Sequence, residues 1–355
     1  MEIINTVTAQ KKSTGTVSEM FNKDFIFGNI ISENMLVAEY QNGKWENARI
    51  EPYSPIPLEP ATSALHYGQS VFEGMKAFRM QDGRISIFRI QKHLERFNRS
   101  LFRMHMPQVL PELFTKGLQM LVNLDSDWVP YTEGSALYIR PFMFATDTRF
   151  GVRPSAGYKF IIFTGPVPAY FTKPLKVVVE KKFTRASEGG TGYAKCAGNY
   201  GGSFYPTSLA QDRGYDQVLW TDSSLHEFIE ESGMMNIFFV INNVLITPAL
   251  TGSILNGVTR DSILQLAKHL SIPCEQRPVS IAEIKTAIDG GTLTEIFGTG
   301  TAAVTIPVSH IGIDGKNYML PELPAGSTIM FVLKSKLESI RLGKEQDIFQ
   351  WNSIL

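Results

Sequence analysis

Cysteine is almost absent: Cys196 and Cys274 are the only two in 355 residues. Two thiols cannot staple a disulfide scaffold or build a Cys-rich zinc site, and no metal is expected. The scarcity suits a reducing compartment, so a cytoplasmic setting is expected. Net charge is lacking too. Lys plus Arg number 34, as do Asp plus Glu, so no global positive field exists to hold nucleic acid or an anionic membrane. Long apolar runs are missing. The most apolar stretch, 234–250, is interrupted by Asn236, Asn242, Asn243 and Pro248, which excludes it as a membrane span. The N-terminus has neither the apolar core of a signal peptide nor the Arg-rich pattern of an organelle import sequence.

What remains is an ordinary globular composition, with 43% hydrophobic and 19% charged residues. At roughly 100–200 residues per domain, two domains are expected. Residues 1–24 read as a loosely held polar arm. Met35–Tyr40, Arg84–Phe88, Ser135–Ala145 and Tyr158–Thr164 read as strands. Gln91–Met104 reads as a helix, because Leu94, Phe97, Leu101 and Met104 recur at helical spacing, with Pro107 and Pro111 breaking it. Gly165–Pro174 holds three prolines and a glycine, which makes it the expected interdomain linker. The boundaries are therefore 1–164, including the arm, then 165–174, then 175–355. Beyond the linker, strands are expected at Leu175–Glu180, Gln217–Thr221 and Met235–Ile241, the last ending in an Asn242-Asn243 turn. Helices are expected near Gly202–Asp212 and over Thr259–Leu270. Strands and helices alternate without a regular βαβ rhythm, so α+β or mixed α/β is expected rather than a doubly wound sheet.

Six segments bear chemistry. In Glu188–Ser203, six glycines surround Lys195, which implies close backbone approach. A phosphate loop needs Lys directly after Gly and a hydroxyl next. Ala194 and Cys196 flank Lys195 instead, so that pattern fails. Two readings stay open: a lysine nucleophile that forms a Schiff base with an aldehyde, or a solvated surface lysine. Asn256–Asp261 precedes a helix and reads as an anion-binding helix start or a plain Thr or Asp N-cap. Phe297–Ala303 offers two hydroxyls among glycines, for an anion or an ordinary turn. Tyr138 and Arg140 share one strand face, either functional or solvated. Arg96, Arg99 and Arg103 form a stripe whose spacing cannot say which one meets a ligand. Glu227, Glu230 and Glu231 precede an apolar strand, where an isolated acid is normally a surface residue.

Taken together, these segments resemble the branched-chain amino acid aminotransferases, class IV pyridoxal-phosphate enzymes with the D-amino-acid-transaminase-like fold. LHYGQSVFEGMKAF at 65–78, FRIQKHLERFNRS at 88–100, LYIRPF at 137–142, GYAKCAGNYGGS at 192–203, EESGMMNIFFV at 230–240, ILNGVTRDSIL at 254–264 and EIFGTGTAA at 295–303 carry the resemblance. It implies a fold-type-IV enzyme with a small N-terminal α/β domain and a larger, barrel-like C-terminal domain. The implied cofactor is pyridoxal 5'-phosphate. Lys195 matches the lysine that holds the cofactor covalently and then shuttles the proton. Glu230 matches the acid on the pyridine nitrogen, and Tyr200 the tyrosine on the ring hydroxyl. Arg96, the amides of Val258 and Thr259, the Thr259 hydroxyl and Thr299 match the phosphate contacts. Tyr67 and Arg140 match the pair that orients the substrate carboxylate, with the amides of Thr301 and Ala302 beside it. Phe27, Tyr138 and Tyr170 match walls of the side-chain pocket.

The implied reaction moves an amino group from Leu, Ile or Val to 2-oxoglutarate, in a homodimer. The same resemblance keeps a D-amino acid transaminase and an aminodeoxychorismate lyase as rivals, though Tyr138, Arg140 and GTGTAA count against them. A catalytically silent cofactor carrier is countered by Lys195 and Glu230, and a nucleotide-binding module by the failed phosphate loop. Some eukaryotic members carry a redox C-x-x-C where this chain has Ala303-Val304-Thr305-Ile306, so thiol regulation of that kind is not expected. Cys196 is expected to be structural.

Overall fold

In the computed structural model the described residues are 4, 6–8, 17, 28–168, 173–302, 304–324 and 326–355. Most of the expected N-terminal arm lies outside them, as do Phe27 and Tyr170. By contact the chain forms two units: Met1–Tyr170 with Ala194–Ala197 and Ser339–Leu355, and Phe171–Tyr193 with Gly198–Glu338.

The first unit is built on a nine-stranded sheet ordered Thr6–Val7, Lys44–Pro52, Asn34–Gln41, Tyr158–Val167, Ala136–Ala145, Met75–Arg79, Ile85–Phe88, Asn352–Ile354, with Ser70–Phe72 paired beside Ala136–Ala145. All pairings are antiparallel except the first. Two helices, Ile90–Arg103 and Pro111–Leu124, contribute to its core. Phe97, Phe114 and Phe160 form a ring triad with centroids 5.7–6.1 Å apart. Pro111 does not only break the preceding pattern. It starts the next helix, where a missing N–H costs nothing.

The second unit holds a closed ring of six strands, Ile229–Ser232, Gln217–Thr221, Leu175–Val179, Val304–Ile313, Leu293–Gly300 and Met235–Ile241, the last pairing back to the first. Closure leaves the ring without an edge. Side chains alternate as strands require. Leu219 joins the cluster of Val177, Ile237, Phe239 and Ile311, whereas Val218 and Trp220 join Ala210 of the Phe204–Asp212 helix. The Asn242-Asn243 turn forms as expected, with both residues at positive φ joining Met235–Ile241 to Val244–Thr247.

Three boundaries differ from the sequence reading. Ala194–Ala197, which includes Lys195 and is expected in the second domain, belongs to the first unit. The strand expected to end at Thr164 runs on to Val167, because Gly165–Val167 still pair with Ala136–Tyr138. Residues 339–355, expected in the second domain, belong to the first unit. Asn352–Ile354 pairs with Ile85–Phe88 there, and Trp351 packs edge-on to Phe88.

Candidate functional site

In the first unit, Lys195 lies on a short segment paired to the edge of Ser70–Phe72. Phe72 N donates to the Lys195 carbonyl (3.1 Å), and Ala197 N donates to the Ser70 carbonyl (3.0 Å). Lys195 N donates to Ser100 Oγ (2.9 Å), while that hydroxyl donates to the Arg96 carbonyl (2.9 Å). One serine thus ties the lysine backbone to the helical turn that carries Arg96. Cys196 is buried in the first core cluster, the structural position expected for it. The Lys195 ammonium sits 4.7 Å from the Phe72 ring centroid, and the Arg140 guanidinium 4.8 Å from the same centroid. Phe72 therefore links two of the expected site residues, although inspection of single residues does not select it.

Tyr138 and Arg140 do share a face, and Arg140 Nη2 donates to Tyr138 Oη at 3.0 Å. Tyr67, 39% exposed, accepts a hydrogen bond from Gly151 N at 3.1 Å. Arg140 turns to Tyr138 and Phe72. Of the arginine stripe, Arg99 is exposed and Arg96 is 6% exposed. Glu73 explains the burial of Arg96. Its carboxylate accepts from Arg96 Nη2 (2.5 Å) and Nε (2.9 Å), and His93 Nδ1 lies 3.4 Å away. Burial pushes the Glu73 carboxyl up, but the charge of Arg96 and the His93 contact outweigh it and hold it well below the usual carboxylate range. Burial depresses His93, which favours its neutral form. Neither Glu73 nor His93 stands out in the sequence.

In the second unit, Glu230 and Glu231 alternate on Ile229–Ser232 and do different things. Glu231 is a framework residue. Arg185 Nε lies 2.8 Å from its Oε2, while Asn236 Nδ2 and Leu255 N each donate to its Oε1 at 3.0 Å. Asn236 also donates to the Leu255 carbonyl (2.9 Å). These bonds fix the loop before the Val258–His269 helix. The N-cap there is Gly257, with no side-chain cap, so the plain Thr or Asp cap is ruled out. A Cβ at Gly257 would lie 2.0 Å from Asn236 Oδ1.

Glu230 is 7% exposed. Ser253 donates its hydroxyl to Glu230 Oε1, whereas Oε2 is buried with no hydrogen-bond partner among the described residues. Burial pushes the carboxyl above its ordinary value, against the Ser253 bond and the charge of Arg185. Thr299 Oγ1 is likewise buried without a partner among the described residues. Buried polar atoms normally find partners; these two oxygens are among fourteen such buried side-chain atoms of the described residues, and both belong to residues that the sequence resemblance assigns to the cofactor. Val258 and Thr259 open their helix, and Thr301 and Ala302 lie half-buried in the turn after Leu293–Gly300. Tyr200 lies half-buried on the short Gly198–Gly201 helix. Within the glycine-rich segment, close approach is real at Gly192, where a Cβ would lie 2.3 Å from the Ser253 carbonyl oxygen. A Cβ at Gly189, Gly198 or Gly201 would meet open space.

No His/Cys/Asp/Glu group that could hold a metal occurs among the described residues, and no described helix is long and apolar enough to cross a membrane.

The sequence model of the amino-transferase class IV family matches residues 70–311. Branched-chain-amino-acid transaminase 1 of Bacillus subtilis (strain 168) is 45% identical over 330 residues, 92% of each chain. A probable branched-chain-amino-acid aminotransferase of Staphylococcus aureus (strain N315) is 44% identical over 334 residues, 93% of each chain. Among solved structures, the branched-chain amino acid aminotransferase from Escherichia coli superposes with a TM-score of 0.71 at 26% identity, covering 90% of this chain and 98% of that one. The branched-chain aminotransferase of Thermoproteus uzoniensis, solved with norvaline, gives 0.72 at 25%, covering 90% and 99%.

Proposed function

The chain belongs to the class IV aminotransferases and is related across almost its whole length to their branched-chain members, and on that premise we propose how its residues carry out the reaction. It is a pyridoxal-phosphate-dependent transaminase of branched-chain L-amino acids, with 2-oxoglutarate as the amino acceptor. The observation that carries this assignment is the 45% identity over 92% of both chains. The two orphaned buried oxygens, Glu230 Oε2 and Thr299 Oγ1, fit the cofactor.

Pyridoxal phosphate, when bound, supplies an electron-poor ring that takes up the negative charge left when a proton leaves the substrate Cα. Lys195 Nζ would hold the cofactor covalently and, as a free amine, would take the proton from the substrate Cα. Glu230 Oε2 accepts from the pyridine N–H. Ser253 fixes the other oxygen, and a cationic partner offsets the burial that disfavours the carboxylate. Tyr200 hydrogen-bonds the ring hydroxyl. Arg96, the Val258 and Thr259 amides, the Thr259 hydroxyl and Thr299 hold the phosphate, with the helix dipole of Val258–His269 adding to the attraction. Arg140 orients the substrate carboxylate together with Tyr67 and the Thr301 and Ala302 amides. Its Nε, buried without a hydrogen-bond partner among the described residues, gains an acceptor when that carboxylate arrives. Tyr138 lines the apolar pocket, and Phe27 and Tyr170 complete it in this reading. The protein works as a cytoplasmic homodimer. Its two unpaired cysteines support a reducing compartment.

The direct test is glutamate formation from 2-oxoglutarate with L-leucine, L-isoleucine, L-valine or D-alanine. Turnover with the three L-amino acids and none with D-alanine supports the reading. The reverse preference points to a D-amino acid transaminase of the same fold.

A further inference from the structure

We propose that Glu73 is the positioning residue that aims Arg96 at the cofactor's phosphate. This inference rests on the role given to Arg96 above and adds the residue that makes that role possible. A guanidinium is a planar fork with five N–H donors. Glu73 grips its Nε–Nη2 edge with both carboxylate oxygens, at 2.9 and 2.5 Å. Two parallel bonds fix the plane as well as the position. The Nη1 edge then faces away from Glu73 in one defined direction.

Glu73 is itself held. It is fully buried, its backbone N donates to the Pro141 carbonyl (2.7 Å), and its Oε1 accepts from Gly74 N (2.9 Å). His93, one helical turn before Arg96, closes the other side at 3.4 Å from Oε2. The residue before Glu73 is Phe72, whose N–H binds the Lys195 carbonyl, and Ser100 ties the Arg96 turn to the Lys195 backbone. The cofactor-bearing lysine, the phosphate arginine and the acid that orients it therefore belong to one hydrogen-bonded framework inside the first unit. A buried arginine needs some counter-charge for stability alone. The discriminating question is whether Glu73 also sets phosphate recognition.

The test uses the full-length chain freed of cofactor and titrated with pyridoxal 5'-phosphate or pyridoxal, followed by absorbance. The dissociation constant for pyridoxal divided by that for pyridoxal 5'-phosphate isolates the phosphate contribution. Arg96→Gln is expected to lower this ratio. Glu73→Gln is expected to lower it by about ten- to a hundredfold, as when a group orienting a ligand-binding side chain is lost, with pyridoxal binding little changed. The Glu73→Gln, Arg96→Gln double variant is expected to fall no further than Arg96→Gln alone. An unchanged ratio in Glu73→Gln overturns the proposal, as do equal losses for both ligands or losses that multiply in the double variant. An unchanged ratio in Arg96→Gln instead overturns the phosphate role of Arg96. Should Glu73→Gln not fold, Glu73→Asp decides: it keeps the charge but reaches less far, so a partial loss of ratio supports the proposal and a wild-type ratio overturns it.

Discussion

Arg140 shows what a single side chain contributes and how much of it a sequence reveals. Its place beside Tyr138 was readable, because alternate residues of a strand share a face, and the 3.0 Å bond between them follows. Phe72 beneath it was not readable, because the pairing that brings Ser70–Phe72 alongside Ala136–Ala145 spans some seventy residues. The same reason hid Glu73 from Arg96, and Asn34 from Asp125. A lysine point charge cannot replace a planar fork. Arg140→Lys is therefore expected to raise KM for L-leucine by about ten- to a hundredfold, the equivalent of one charge-assisted hydrogen bond at roughly 1.5–3 kcal/mol. Steady-state kinetics check this, and an unchanged KM removes Arg140 from carboxylate binding.

Elements with strong local signals were legible almost to the residue. Met235–Ile241 and its Asn-Asn turn, the Ile90–Arg103 helix and the Val258–His269 helix all lie near their expected bounds. Helices whose ends depend on distant partners were not. The Ile329–Arg341 helix begins where Glu295, on Leu293–Gly300, accepts from Ile329 N and Met330 N at 2.8 Å each. Thr328 supplies a local cap, its Oγ1 accepting from Phe331 N at 3.4 Å, but the first two helical N–H groups are met from more than thirty positions away, which no local pattern announces. Glu295 is 5% exposed, and Glu295→Ala strands one half-buried donor, Ile329 N, and one buried donor, Met330 N. The expected cost is about 1–3 kcal/mol, read as a lower urea midpoint with an unchanged slope. A midpoint equal to wild type removes the cap from the account of this helix.

At the scale of the whole molecule, length implied two units, the irregular alternation of strand and helix patterns a mixed α/β fold, and composition zero net charge, but none of them the return of residues 339–355 to the first unit. Nor did they reveal the buried polar network there. Asp125, 1% exposed, accepts from Asn34 Nδ2 at 2.6 Å, and burial pushes its carboxyl up to about 6 despite that bond. The unfolded chain ionises first, so stability supplied by the neutral acid is fully present below the unfolded value of 3.8 and drains away as pH rises to about 6. Over that window wild type is expected to lose about 3 kcal/mol relative to Asp125→Asn, at 1.36 kcal/mol per pH unit. Melting curves of both proteins from about pH 4 to 8, which brackets that window, check the sign, and a constant difference contradicts it.

The central claim is that one amine, at position 195, bears the coenzyme. Reducing the native protein with sodium borohydride and mapping its peptides by mass tests this most directly. The account predicts one stable pyridoxyl adduct, on the peptide containing Lys195, formed only before L-leucine is added. An adduct on any other lysine, or none in protein that still transaminates, contradicts it.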